Sequence, residues 1–314
     1  MEPQDSKLLK QHMFRIDLDL AGNCNRRCSF CPRSGDYPNV NEFMALEVVS
    51  EVIERMKEIN FDGWVELAGR GEPTLHPEFE TVVDMLTQPD RTWRVRVTTN
   101  GYRLSKYWKS AYKKIDWLIL NSYESQYEYD KRVEKYEVLD CGNRVEHYFK
   151  PDGLSIEEIN KMNKVPDTVE LGKTWKYQFN NRAGWFSEEF AKAPCYHPMR
   201  QIFINYDGNY QMCCNDWTTQ VAIGSVLEHN LWDMYLNNPK MQRIKWALLN
   251  GNRKDILPCS MCNDSQGKRA QGAINRVKSS DEYKYHLVKI ASTEGTKYKG
   301  ELRGSDFIPI SFKD

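Results

Sequence analysis

The chain has 314 residues, 40% of them hydrophobic, enough to fill one large core or a large core and a small one. Lysine plus arginine and aspartate plus glutamate each number 44, so no overall field draws the chain to nucleic acid or to an anionic membrane surface. The N-terminal stretch has no long apolar run and no small-residue cleavage site, which excludes a signal or a span there and predicts a cytoplasmic protein. In such a reducing compartment nine cysteines, an odd number, read as metal ligands rather than disulfide partners.

Strand-like runs occur at FRIDLDL (14–20), WVELAG (64–69), WRVRVTT (93–99), WLILN (117–121), RVEHYF (144–149) and WKYQF (175–179). Between them, residues 42–59, 77–86, 105–112, 126–138 and 155–162 carry apolar side chains at the three- and four-residue spacing of core-facing helices. The alternation predicts a mixed α/β fold, a partial (β/α)6 barrel with a parallel sheet and an apolar lining that keeps water out. From about residue 180 the pattern changes. QIFINYDGNYQMCC (201–214) reads as a hairpin turning at Asp207 and Gly208, residues 231–249 as a helix, and Pro258 introduces the loop pair Cys259 and Cys262. The expected division is an N-terminal extension over 1–13, the barrel over 14–182, a small C-terminal domain of β-hairpin plus helix over 183–265, and an extension over 266–314. That last stretch has one helical pattern at 281–290 and no assigned role.

The densest chemical signal is CNRRCSFC, which sets Cys24, Cys28 and Cys31 in the loop after the first strand. Three thiolates on a [4Fe–4S] cube leave one iron open to a small molecule, whereas four suit electron transfer. Zinc would want a fourth Cys or His nearby, and His12 and His76 lie outside the loop. Ligands in such sheets gather at the carboxyl ends of strands, where this loop stands.

Cys-x3-Cys-x2-Cys after the first strand of a β/α array resembles the radical S-adenosylmethionine superfamily, and further motifs agree. Gly69-Arg70-Gly71-Glu72-Pro73 after the second strand resembles the family's glycine-rich loop that meets the methionine amino group. There glycines would let backbone carbonyls approach an ammonium, and a carboxylate would add charge. The same five residues also suit an ordinary strand-to-helix turn. Phe30 stands where the family has an aromatic beside the adenine. Thr99 and Asn100, with Thr98, resemble the segment reaching the ribose or methionyl part, and Asn121 with Ser122 ends the next strand in the same way. A loop aromatic and an Asn-Gly turn are the plainer accounts of Phe30 and Asn100.

The order Cys195, Gly208, Cys213, Cys259, Cys262 resembles the auxiliary-cluster domain called twitch, a shortened SPASM domain. A four-cysteine zinc site is the alternative, though its ligands are usually two Cys-x-x-Cys pairs. No cysteine follows Cys262, so the resemblance implies two [4Fe–4S] clusters in all, plus S-adenosylmethionine. It further implies a 5′-deoxyadenosyl radical that abstracts hydrogen from a polar small-molecule substrate, and an electron donor such as flavodoxin or ferredoxin. With one auxiliary cluster as acceptor, the favoured outcome is a two-electron, dehydrogenase-like oxidation. Radical epimerisation would need a thiol donor, and Cys141 and Cys214 are the cysteines left over. Peptide modification is a second rival, disfavoured by the thirteen residues before Phe14. A non-catalytic iron–sulfur or zinc module is a third, for which an open iron is poor design. Arg182, after the last expected barrel strand, is a candidate for holding substrate through its donor fork, or for a salt bridge. His197, close to Cys195, is left out of the ligand set because four thiolates already suffice.

Overall fold

The computed structural model describes residues 13–123, 125–136, 144–149, 153, 155, 158, 181–186, 194–219, 221–254 and 256–264. Five parallel strands come first: β1 (Arg15–Leu18), β2 (Trp64–Leu67), β3 (Arg94–Thr99), β4 (Trp117–Ser122) and β5 (Arg144–Phe149). They are linked in turn through α1 (Leu46–Glu58), α2 (Phe79–Leu86), α3 (Leu104–Tyr107) and α4 (Gln126–Tyr136). After α5 (His197–Arg200) come β6 (Gln201–Ile204), β7 (Asn209–Gln211) and β8 (Ala222–Ser225), and α6 (Pro239–Leu249) follows. All eight strands belong to one sheet in the order β5-β4-β3-β2-β1-β6-β7-β8. The hairpin strand β6 pairs parallel with β1, Arg15 opposite Gln201 and Leu18 opposite Ile204, so the second cysteine region is stitched to the strand that carries the first.

Alternation decides which face meets the helices. Ile16, Leu18, Val65, Leu67, Val95, Val97, Leu118 and Leu120 share one face of the sheet and are fully buried. They form one core with Val49, Val52 and Met56 of α1 and with Phe79, Val82, Val83 and Leu86 of α2. The intervening residues project the other way, and there the expected apolar lining is corrected. Arg15 donates to Asp17 (3.0 Å) and to Gln201 (2.6 Å), Thr98 Oγ1 donates to Glu66 (2.6 Å), and Arg96 is ion-paired with Glu66. Among the described residues α1 and α2 pack on the first face, so the apolar set is spent there and the other face holds paired charges.

The first five expected strands are present, and the turn at Asp207 and Gly208 is as read, with Gly208 at φ 80° and its N–H on the Asn205 carbonyl at 2.9 Å. β8 was not anticipated, because Ala-Ile-Gly-Ser carries no alternation. The first helix begins at Leu46 rather than 42, since residues before it are extended and Phe43 bridges to Ala21. The second starts at Phe79 rather than 77, and the third is one turn, Leu104–Tyr107, rather than 105–112. The expected helix over 231–249 is interrupted: a π-helical turn, Asp233–Asn237, gives way at Asn238 to α6, because Pro239 has no N–H to continue the ladder and suits a helix start. The expected elements at 155–162, 175–179 and 281–290 lie outside the described residues. Among the described residues no helix is long and apolar enough to cross a membrane.

Asn238 caps α6: its side chain accepts from Met241 N (3.0 Å) and donates to the Ile223 carbonyl (3.0 Å), tying the helix to β8. Asn238→Ala is expected to lower the unfolding free energy by about 1–2 kcal/mol in a denaturant titration. An unchanged midpoint would mean that the cap does not hold this helix.

Candidate functional site

The end of β1 sets the site. Asp19, 1% exposed, accepts from Arg70 N (3.0 Å), Arg70 Nε (2.9 Å) and Gly71 N (3.3 Å), so one carboxylate organises the loop after β2. The approach is close enough to dictate both glycines. A Cβ on Gly69 would lie 2.1 Å from Asp19 Oδ1, and one on Gly71 would lie 1.9 Å from the Ala21 carbonyl. These glycines therefore admit the chain's own carboxylate and carbonyls, a nearer cause than the approach of a bound ammonium. Pro73 is buried and opens the single turn Pro73–Leu75.

Glu72 is 3% exposed, and its carboxylate accepts from Thr74 N (3.2 Å), Thr74 Oγ1 (2.6 Å), Thr99 Oγ1 (2.6 Å) and Asn100 N (2.8 Å). Burial pushes this carboxyl up and the hydrogen bonds pull it back, the net being a raised pKa. Three predicted positions, Glu72, Thr99 and Asn100, thus meet around one carboxylate that fastens the β2 loop to the end of β3. Asn100 reaches further: its Nδ2 donates to Asn25 Oδ1 (2.8 Å) and lies 3.8 Å from Cys24 Sγ. Asn121, at the end of β4, is 4% exposed, and its Oδ1 is a buried acceptor with no hydrogen-bond partner among the described residues.

The cysteine loop is fixed by two residues that sequence reasoning missed. Asn39 accepts from Cys24 N (2.8 Å) and donates back to the Cys24 carbonyl (3.2 Å). Arg33, 2% exposed, donates to the carbonyls of Arg70 (2.8 Å), Pro38 (2.7 Å) and Gly22 (2.9 Å), joining this loop to the glycine loop. Cys31 N bonds the Cys28 carbonyl at 2.9 Å, which closes a tight turn between those thiols. Burial pushes the Cys24 thiol up to about 11. Phe30 is buried and packs with its ring centroid 5.8 Å from that of Tyr123. The only sequence signal for Arg33 and Asn39 was their nearness to the triplet.

The second group assembles from distant segments. Cys195, Cys213, Cys259 and Cys262 are all buried and line one cavity, together with Arg253, His197 and Asp264. Cys195 N is held by the Leu248 carbonyl (3.2 Å), and Cys262 N by the Cys259 carbonyl (3.2 Å). Burial pushes the thiols up, Cys195 to about 12 and Cys262 to about 11. His197 Nε2 lies 3.2 Å from Asp264 Oδ2. Cys214 packs against the main core, and Cys141 lies outside the described residues. Arg182, at φ 52°, is only partly buried; its neighbour Asn181 makes the firmer join, in a reciprocal pair with Asn263 (2.7 and 3.1 Å) and a bond to the Met261 carbonyl (2.8 Å).

Beside the four-cysteine cavity lies an aromatic cleft lined by Trp185, Trp217, Asn215, Ala183, Pro258 and Met261, among others. Ala183, Asn215 and Pro258 also line the four-cysteine cavity. Tyr37, six residues after Cys31, sets its ring edge-on to Trp217 (4.8 Å) and Trp185 (6.0 Å).

With this geometry in place, comparison with known proteins defines the class. Residues 19–135 match the family model described as the radical SAM superfamily, and residues 195–263 match an iron–sulfur cluster-binding domain, SPASM. These two matches give the chain a radical SAM domain followed by a SPASM-type iron–sulfur domain. It is 22% identical over 278 residues to the S-adenosyl-L-methionine-dependent 2-deoxy-scyllo-inosamine dehydrogenase of Niallia circulans, covering 87% of this chain and 97% of that one. It is 31% identical over 107 residues to GTP 3′,8-cyclase of Haemophilus influenzae, and there it spans only 31% of the relative's length and 32% of its own. In fold it is similar to BtrN solved with AdoMet and 2-DOIA, at a TM-score of 0.65 and 20% identity, covering 80% of this chain and 93% of that one.

The radical SAM domain implies a [4Fe–4S] cluster and S-adenosylmethionine, and the SPASM domain implies an auxiliary iron–sulfur cluster. The residues fit. Buried thiols are costly to ionise without a cationic partner, and the Asn121 oxygen is a buried acceptor awaiting a donor. Among the described residues, no three His, Cys, Asp or Glu side chains, those of either cysteine group included, converge on a single ion position.

Removing one partner of a buried ion pair leaves an uncompensated charge. Asp19→Asn is therefore expected to cost about 3–5 kcal/mol in unfolding free energy, measured by denaturant titration. A loss within experimental error would show that Arg70 does not depend on Asp19. For Gly71→Ala, the added methyl must displace the Ala21 carbonyl, so iron uptake on anaerobic reconstitution should fall severalfold. Full uptake would mean that the loop relaxes without disturbing the cysteines.

Proposed function

We propose that this protein is a radical SAM oxidoreductase that takes hydrogen from a polar small molecule in a dehydrogenase-like, two-electron oxidation. The observation that carries it is the aromatic cleft: its Trp185 and Trp217 contact Tyr37, six residues after Cys31, and its Ala183, Asn215 and Pro258 also line the four-cysteine cavity. A substrate in that cleft would lie between the group that starts the radical chemistry and the group that accepts an electron. The similarity to a dehydrogenase over nearly the whole of that relative supports the reaction type.

Cys24, Cys28 and Cys31 would hold a cluster with an open iron, while Phe30, Gly69, Gly71, Glu72, Pro73, Thr99, Asn100 and Asn121 would surround S-adenosylmethionine. Bound there, the two supply a carbon-centred radical able to abstract hydrogen. The chain's own residues do the rest. Asn39 and Arg33 immobilise the cysteine loop, and Glu72 keeps the ends of β2 and β3 together at the same point. Tyr37, Trp185 and Trp217 would form an aromatic wall that limits the access of water and stray hydrogen donors to the substrate. Cys195, Cys213, Cys259 and Cys262 would hold the electron acceptor. A cytoplasmic location, the division into domains at about residue 182, a flavodoxin- or ferredoxin-like donor and a contact from Arg182 to substrate belong to the same proposal.

Anaerobically reconstituted wild-type protein with a reductant should bind about eight iron atoms and release 5′-deoxyadenosine from S-adenosylmethionine. The Cys24→Ala/Cys28→Ala/Cys31→Ala variant should keep about four irons and lose that release entirely. Wild-type protein that loads iron but never releases 5′-deoxyadenosine would defeat the enzymatic reading in favour of a binding module.

A further inference from the structure

Arg253 heads the bulkiest fully buried side chains among the described residues, at 2% exposure, and it lines the four-cysteine cavity. Burying a guanidinium is costly unless its hydrogens are accepted and its charge has a use. Its Nη1 donates to the Cys262 carbonyl (3.3 Å) and its Nη2 to the Pro194 carbonyl (3.2 Å). One side chain therefore bridges the residue before the first cysteine of this group and the last cysteine itself, which lie far apart in sequence. Both acceptors are neutral carbonyls, and the carboxylate of Asp264 lines the same cavity.

A four-thiolate iron–sulfur cluster gains negative charge when it takes up an electron. A fixed cation in its dry wall stabilises the reduced form more than the oxidised one, which raises the reduction potential. We propose that Arg253 is a positioning residue for the auxiliary centre: it clamps the Pro194 and Cys262 segments together, and its charge makes a cluster held there a better electron acceptor. This rests on the proposed function, in which that cavity holds the acceptor.

The test uses full-length protein, anaerobically reconstituted, with iron and sulfide counts and a potentiometric titration followed by electron paramagnetic resonance. In Arg253→Met, which keeps the length and removes the charge, the auxiliary cluster should load and its midpoint should move to a more negative value. Arg253→Lys should restore the midpoint, and the potential of the Cys24, Cys28, Cys31 cluster should stay fixed as the internal reference. A fully loaded Arg253→Met protein with the wild-type midpoint would overturn the proposal. If both Arg253→Met and Arg253→Gln fail to load while Arg253→Lys loads, the charge is itself what the anionic site requires, and the proposal stands. If Arg253→Lys fails with them, only the clamp matters and the electrostatic role falls. Wild-type protein that takes up a single cluster would instead defeat the assignment of the cavity, and this role with it.

Discussion

The ion pair between Asp19 and Arg70 is the constraint on which the rest of the site depends. Both side chains are almost wholly buried, so the pair exists only because backbone donors and a second layer of contacts complete it. Asp19 grips the glycine loop through two amides as well as the guanidinium. Arg70 in turn reaches Thr219 Oγ1 (3.2 Å) and stacks over Phe203 of β6, 5.2 Å from the ring centre, so the same residue touches both cysteine regions. A contact of this kind leaves little freedom to the two loops it joins, and position matters when reacting atoms must be held to fractions of an ångström.

Two further clamps build outward from it. Glu72 gathers four donors from the β2 loop and the end of β3, and Arg33 gathers carbonyls from the cysteine loop and from Arg70 itself. Fully satisfied polar networks of this type are rigid, since any rearrangement leaves a buried group unpaired. The residues that resemble cofactor ligands of the superfamily are thus also the residues that hold the scaffold. The two roles divide: the Glu72 carboxylate is spent on internal donors, whereas the Asn121 oxygen is left with none among the described residues.

Much of the fold was legible along the chain. The strands announce themselves because Val, Ile and Leu alternate with polar residues, and the turn at Asp207 and Gly208 because Gly208 alone tolerates its positive φ there. Helix ends were less readable. The break at Asn238 depends on Pro239 and on a cap whose second bond goes to the distant Ile223 carbonyl, and the short third helix has no sequence stop signal. The apolar barrel lining was misjudged for a related reason: alternation shows that a strand has two faces, and only the placement of α1 and α2 shows which one is covered.

The sequence by itself determined the cysteine spacings, the glycine loop and the first five strands, and thereby the radical SAM resemblance, because each of these is a relation between near neighbours written in residue type. The tertiary structure alone decided that Asp19 meets Arg70 across 51 positions, that Arg15 meets Gln201 across 186, and that four cysteines from three segments face one buried arginine. Those are contacts between residues whose spacing carries no signal. They exist because parallel pairing of β1 with β6 brings remote segments together, and because a buried charge must find a partner wherever the fold supplies one.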